Sequence, residues 1–298
     1  MQLVKISFMN PLHLESLLAI VDEGSFEAAA HSLGVTPSAV SQRIKALEKD
    51  VGRVLVRRTT PATATDAGEV LVQAARRMRL LQAETDARLQ GRLGRVPLSV
   101  AVNADSLATW FTPVFADVAT FGEATLRLRI EDETRTLSLL RSGDVLGAVT
   151  RESRPVSGCD TVPLGVVRYR AVATPDLARR YSDPDGVDWS RMPTLRWGPS
   201  DELQARDLEE RLSGNLKRPR VSDIPSTEAL VSATLVGMGW GLMSELQADE
   251  FLRRGELVLL DDHVVTVSLY WQRWRLESEL LERLTESVVA AAGQLPAV

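Results

Sequence analysis

From Pro11 the apolar positions fall at Leu14, Leu17, Leu18 and Val21, the spacing of a helix with one buried face, and Gly24 stops the run. Ser25 is placed to N-cap a short Ala-rich helix from Phe26 to Leu33, and Gly34 supplies the backbone freedom of a tight turn. Thr36 caps a third helix with Pro37 at its first position, where no N–H is needed, and Val40, Ile44 and Leu47 form its buried stripe. Thr65 then opens a pattern running to about Leu93, with Leu71, Ala74 or Ala75, Met78, Leu81, Thr85 and Leu89 on one side. At the helical rise that is roughly 40 Å, too long and too one-sided to stand without a partner helix. The pattern changes near Gly94 to Pro97. Beyond it Pro97–Ala104, Leu126–Ile130, Val145–Thr150 and Val167–Thr174 read as strands alternating with helical stretches. That order predicts a mostly parallel sheet covered by helices, in two small α/β lobes, with no convincing internal repeat.

The length of 298 residues suits about two domains, and a hydrophobic fraction of 44% with 25% charged residues excludes disorder as the main theme. One cysteine, Cys159, and three histidines leave neither a disulfide scaffold nor an easily assembled zinc site. No run approaches the 18 or so apolar residues of a membrane helix, and Met1–Phe8 is too short and too weakly basic for a signal peptide. The expected compartment is therefore the cytoplasm. A net charge of −5 looks wrong for a nucleic-acid binder until it is divided: thirteen Lys and Arg face ten Asp and Glu up to Arg95, and 22 face 30 after it. The two parts want different partners.

The outer face of the third helix carries Ser38, Ser41, Gln42, Arg43, Lys45 and Lys49, with no acid before Glu48. Hydroxyls, an amide and cations near a helix N-terminus are the chemistry that reads base edges and phosphates in the major groove. Arg57, Arg58 and the Thr-rich stretch Thr59–Thr65 follow as a wing able to track the DNA backbone. A three-helix bundle with a solvated charged face is the plainer reading.

The order of residues Ser25-Phe26-x-x-Ala29-Ala30-x-x-Leu33-x-Val35-x-x-Ser38-Ala39-Val40-Ser41-Gln42-x-Ile44-x-x-Leu47-Glu48 resembles the N-terminal signature of LysR-type transcriptional regulators. Gly52-x-Val54-Leu55-Val56-Arg57-Arg58 and Thr65-x-Ala67-Gly68 continue the resemblance into the wing and linker. It implies double-stranded DNA as a partner, with Ser25, Thr36, Pro37, Ser38, Ser41, Gln42, Arg43, Lys45, Arg57 and Arg58 at the interface. It also implies an antiparallel dimerisation coil, with Arg76, Arg77, Arg79, Glu84 and Asp86 on its solvated sides.

The second part carries no catalytic motif, so no enzyme is expected, and Gly237-Met-Gly-Trp-Gly241 lacks the spacing of a dinucleotide fingerprint, reading instead as a helix stop and strand entry. Ligands of α/β lobes bind beyond strand carboxyl ends. After the first strand, Asn103-Ala104-Asp105-Ser106 has Asp105 or Ser106 as the helix cap, either as plain capping or with free N–H groups for a carboxylate. After the second, an exposed edge strand, come Glu131, Asp132 and Glu133, with Asp132 on the strand's inward phase. They are either solvated acids or a receptor for an ammonium or guanidinium group.

Asn103–Trp110, Glu131–Thr136, Gly143–Val149 and Tyr270–Trp274 are similar to the lysine- and arginine-responsive ArgP/LysG branch of the same family. This implies an α + α/β fold: an extension over 1–8, a winged helix-turn-helix over 9–66, a linker helix over 65–94 and a type II periplasmic-binding-protein-like effector domain over 95–298. Its first lobe would hold 95–167 and 266–298 and its second 168–265. Thr150, Trp197, Ser200 and Thr227 then join Asn103, Ala104, Asp105, Ser106 and the three acids around the effector. The implied function is a regulator activating a basic amino-acid exporter gene on binding L-lysine or L-arginine. No cofactor or metal is involved, RNA polymerase is a partner, and the chain is a homodimer or, by family precedent, a homotetramer. The alternatives are an amino-acid-binding protein or enzyme with a helical assembly head, or a regulator with a different effector.

Overall fold

The computed structural model describes residues 10–89 and 97–297 apart from 123, 132, 185, 213, 215 and 216; the expected extension over 1–8 lies outside them. Three helices, α1 (Pro11–Glu23), α2 (Phe26–Ser32) and α3 (Pro37–Val51), each begin at a short polar cap: Asn10, Ser25 and Thr36 accept from backbone N–H groups at 3.0–3.2 Å. Strands β1 (Val56–Arg57) and β2 (Thr63–Ala64) pair antiparallel as a small wing. The wing is pinned to the bundle where Ala62 N–H donates to the Gly24 carbonyl at 2.7 Å. Gly24 has φ 73, and a Cβ there would meet the Pro61 Cβ at 3.0 Å, so turn and wing share one space. Leu14, Leu17, Ile20, Val40, Ile44, Leu47 and Leu55 close the core.

Helix α4 (Asp66–Leu89) starts where Thr65 Oγ1 accepts from Gly68 N–H at 3.1 Å. Its expected end near Leu93 lies outside the described residues. The single stripe read from the sequence is divided. Leu71 and Ala75, with Val72, belong to the head core, whereas Met78, Leu81 and Thr85 face outward. Leu80 enters the core of the following domain. The expectation that Arg76 and Arg77 are solvated is also corrected. Arg76 reaches Asp22 of α1 and Asp144 of the next domain, and the Arg77 guanidinium lies 3.6 Å from the Trp274 ring centre.

The rest of the chain is built on a six-stranded sheet, with two small two-stranded sheets in the second lobe. Strand β3 (Pro97–Val102), helices α5 (Ala104–Ala108) and α6 (Pro113–Val118), strand β4 (Thr125–Ile130), helix α7 (Glu133–Ser142) and strand β5 (Gly147–Thr150) form the first lobe. The chain leaves along β6 (Cys159–Ala173) into α8 (Pro175–Tyr181), the short pair β7 (Ser182–Asp183) and β8 (Gly186–Val187), β9 (Thr194–Arg196), α9 (Glu202–Leu212), β10 (Val221–Asp223), α10 (Thr227–Leu235), β11 (Gly241–Ser244) and α11 (Glu245–Arg253). It returns along β12 (Val258–Trp274) to α12 (Glu279–Ala292). The sheet order is β11-β6-β12-β5-β3-β4. It is mixed rather than mostly parallel: β3, β4 and β5 are parallel, but β6 and β12 run out and back between the lobes and must pair antiparallel. Trp110, Phe111, Trp271, Leu284 and Val288 fill the first-lobe core, and Met192, Leu208, Leu212 and Trp240 the second. Gly237, with φ 74, ends α10 and Gly241 opens β11, which is the helix stop and strand entry expected there.

Candidate functional site

On the head, Thr36, Pro37, Ser38, Gln42, Lys45 and Lys49 line the exposed side of α3, with the Thr36 and Ser38 hydroxyls 3.0 Å apart. Ser41 is half-buried beside them, and Ser25 is spent as the cap of α2. Arg43 turns towards α1, where its Nη1 donates to Ser16 Oγ at 3.3 Å. Its first role is therefore to hold α3 against α1. Glu48 is withdrawn from the surface, its carboxylate accepting from Leu55 N–H at 2.8 Å. In the wing Arg57 is exposed beside Asp66, and Arg58 lies 5.0 Å above the Phe26 ring. Polar side chains and cations thus line the exposed face of α3 and the wing, a chemistry complementary to a phosphate backbone.

In the two-lobed domain the cap of α5 is Asn103, not Asp105 or Ser106: Asn103 Oδ1 accepts from Ser106 N–H at 3.1 Å. An Asn side chain reaches the third N–H of a helix from the residue just before it, which leaves both neighbours free to point elsewhere. Asp105 points into the space between the lobes, where Tyr169 of β6 donates to Oδ2 at 2.9 Å and Thr227, at the start of α10, donates to Oδ1 at 3.2 Å. Burial is the main cause that raises the Asp105 pKa, and the nearby Asp201 adds to it; the two hydrogen bonds and Arg151 pull the other way.

Ser106 and Ala104 flank this carboxylate, and the Ser106 Oγ is buried without a hydrogen-bond partner. So is Trp197 Nε1, on the loop whose backbone N–H donates to Asp201 Oδ2 at 3.0 Å. Asp201 also caps α9 by accepting from Gln204 N–H, while Ser200 stays exposed. Thr150 is buried at the end of β5, accepting from Glu152 N–H at 3.1 Å. Glu131 is half-buried at the end of the edge strand β4; Asp132 and the Glu133 side chain lie outside the described residues.

Sequence reasoning missed Tyr169 and Arg151. Tyr169 had a signal: it is the one aromatic in Val167–Ala173, and a buried tyrosine hydroxyl needs a partner. An open groove of about 420 Å³ lies to one side, between α9 and the Val264–Ser268 segment of β12. It includes Arg151 but not Asp105. Among the described residues no three His, Cys, Asp or Glu gather where they could hold a metal ion, and no helix is long and apolar enough to cross a membrane.

Residues 12–69 match the family described as bacterial regulatory helix-turn-helix protein, lysR family, and residues 91–293 match the LysR substrate binding domain. The chain is similar to the lysine export transcriptional regulatory protein LysG of Corynebacterium efficiens, 62% identical over 284 residues that cover 95% of this chain and 98% of that one. It also resembles the full-length LysG of Corynebacterium glutamicum with bound effector Arg, with a TM-score of 0.85 at 57% identity, covering 97% of this chain and 100% of that one. A second full-length structure of that LysG, at the same identity and coverage, gives a TM-score of 0.66. With its helix-turn-helix head joined to a two-lobed domain enclosing a polar site, the chain belongs to the LysR family of bacterial transcriptional regulators.

Proposed function

We propose that the chain is a DNA-binding regulator that activates a basic amino-acid exporter gene when L-lysine or L-arginine enters the cleft between its lobes. The observation that carries this reading is Asp105, a carboxylate enclosed between both lobes with its pKa raised by burial. A ligand cation arriving beside it offsets the cost of keeping that charge out of water. The effector's α-carboxylate is assigned to the unpartnered Ser106 Oγ and Trp197 Nε1, and Glu131, Asp132 and Glu133 to the second cation. Thr150, Asn103 and Thr227 frame the ligand. The relatives' names and the Arg-bound LysG support a basic effector.

The exposed face of α3 reads DNA and the wing holds phosphate, while the outward Met78, Leu81 and Thr85 of α4 pair two chains, which assemble further into a tetramer. The chain acts in the cytoplasm, with RNA polymerase as its downstream partner and without catalysis or a cofactor. Calorimetry on the full chain tests the effector. L-lysine and L-arginine are expected to bind, L-norleucine to bind at least tenfold more weakly, and Asp105→Asn to remove that difference. Equal binding of norleucine and lysine by the unaltered chain contradicts the reading.

A further inference from the structure

Arg76, on the linker helix, touches both the head and the first lobe. It lies in the middle of α4 with its side chain 11% exposed. Its Nη2 meets Asp22 of α1 at 2.7 Å and Asp144 at 2.6 Å, and its Nη1 donates to the Ser142 carbonyl at 3.0 Å. Ser142 Oγ in turn holds the Asp144 carboxylate. One turn away, a Cβ on Gly143 would lie 3.7 Å from the Gln73 Cβ, so the backbone of this bend is pressed against α4.

The bend is the C-terminal end of a helix whose N-terminal end follows the acids assigned above to the effector's second cation. Helix α7 begins at Glu133, directly after Glu131 and Asp132, and ends at Ser142. Ten residues make a rod of about 15 Å, rigid by its own hydrogen bonds. Whatever displaces its first turn therefore displaces the Ser142–Asp144 bend.

We propose that Arg76 is the positioning residue through which α7 passes effector binding to the DNA head, by fastening the Ser142–Asp144 bend and Asp22 of α1 to one point of the linker helix. Arg76 makes the contact two-state. With its guanidinium in place one cation is shared between the carboxylates of Asp22 and Asp144, Asp22 having Arg79 at 3.8 Å besides; without it Asp144 loses that cation and the first lobe separates from the linker. The two structures of the Corynebacterium glutamicum LysG differ in how closely their whole shapes match this one, a difference between those structures to which no cause is assigned. The direction of signalling rests on the effector reading above, but the fastening itself does not.

The test uses the full chain with Gln73→Cys and Gly143→Cys together. Their Cβ separation of 3.7 Å matches the usual disulfide spacing of about 3.8 Å, and the native Cys159 is buried. Because Gly143 has φ 73, the Gly143→Cys single variant serves as the control for backbone strain. Oxidation is expected to close the staple and to change affinity for the chain's own upstream DNA at least fivefold relative to the reduced form. The oxidised protein should bind L-lysine within twofold of the reduced protein, yet its DNA footprint should no longer respond to lysine. Arg76→Gln should likewise retain lysine binding and lose the response, with Arg76→Lys recovering part of it. A staple that does not form, an oxidised protein whose footprint still responds to lysine, or an Arg76→Gln variant with an undiminished response overturns the proposal. If no basic amino acid binds the unaltered chain, the effector reading fails; the staple's closure and the oxidised-to-reduced DNA affinity ratio still decide the fastening, a ratio within twofold rejecting it.

Discussion

A carboxylate driven by burial towards its neutral form has a calculable effect on both stability and binding. Asp105 has its pKa raised, so the neutral group costs nothing at low pH, and stability is lost as pH rises from the ordinary carboxylate range up to the raised value. Asp105→Asn keeps the shape and an acceptor for Tyr169. It should therefore stabilise the effector-free chain at neutral pH by about 1 kcal/mol, seen as a higher Tm, and the gain should vanish below the ordinary carboxylate range. A lower Tm at neutral pH would mean that the two hydrogen bonds outweigh the burial. On α3, Gln42→Ala should cost about 1–3 kcal/mol on the specific site and little on random DNA, measured by competitive titration. Arg43→Ala should instead lower Tm, because its guanidinium is held by Ser16. Caps such as Ser25 and Thr36 are legible in the sequence because a cap is a bond to a residue three positions on. Arg76 is not legible, since its partners are 54 and 68 positions away and nothing local distinguishes it from a solvated arginine.

Among elements, the short helices of the head are legible and the long strands of the second part are not. Strand β6 begins at Cys159, well before the Val167 that its β-branched run suggests. Pro163 and Gly165 read as breakers, but this end of β6 pairs only with β12, and the register slips between Leu269–Gly165 and Tyr270–Pro163. An edge position with a bulge tolerates a proline, which no local pattern announces. Helix α4 was similarly legible as a helix but not as a surface, because its stripe is shared among the head core, the first-lobe core and the outward residues. Met78→Glu with Leu81→Glu should shift sedimentation towards the monomer while leaving the helical circular dichroism unchanged; an unaltered sedimentation profile would remove α4 as the pairing surface.

As a whole, the molecule separates two electrostatic tasks along one chain. The head and linker carry a surplus of cations and the two-lobed domain a surplus of acids. DNA is attracted to one end and a cationic ligand to the other, and α4 with its arginines joins them. Neutralising Arg57 and Arg58 together should weaken binding on every DNA sequence and flatten its salt dependence by about two units of slope. Whether a basic amino acid in the inter-lobe site changes how the head engages DNA is decided by footprinting the full chain on its own upstream intergenic DNA. The footprint is compared in the absence of ligand and with L-lysine, L-arginine or L-norleucine. Lysine or arginine is expected to alter the protected region or the protein concentration needed to reach it, about fivefold or more, and norleucine to do neither. Identical footprints under all four conditions, or a norleucine footprint matching that of lysine, would contradict that expectation.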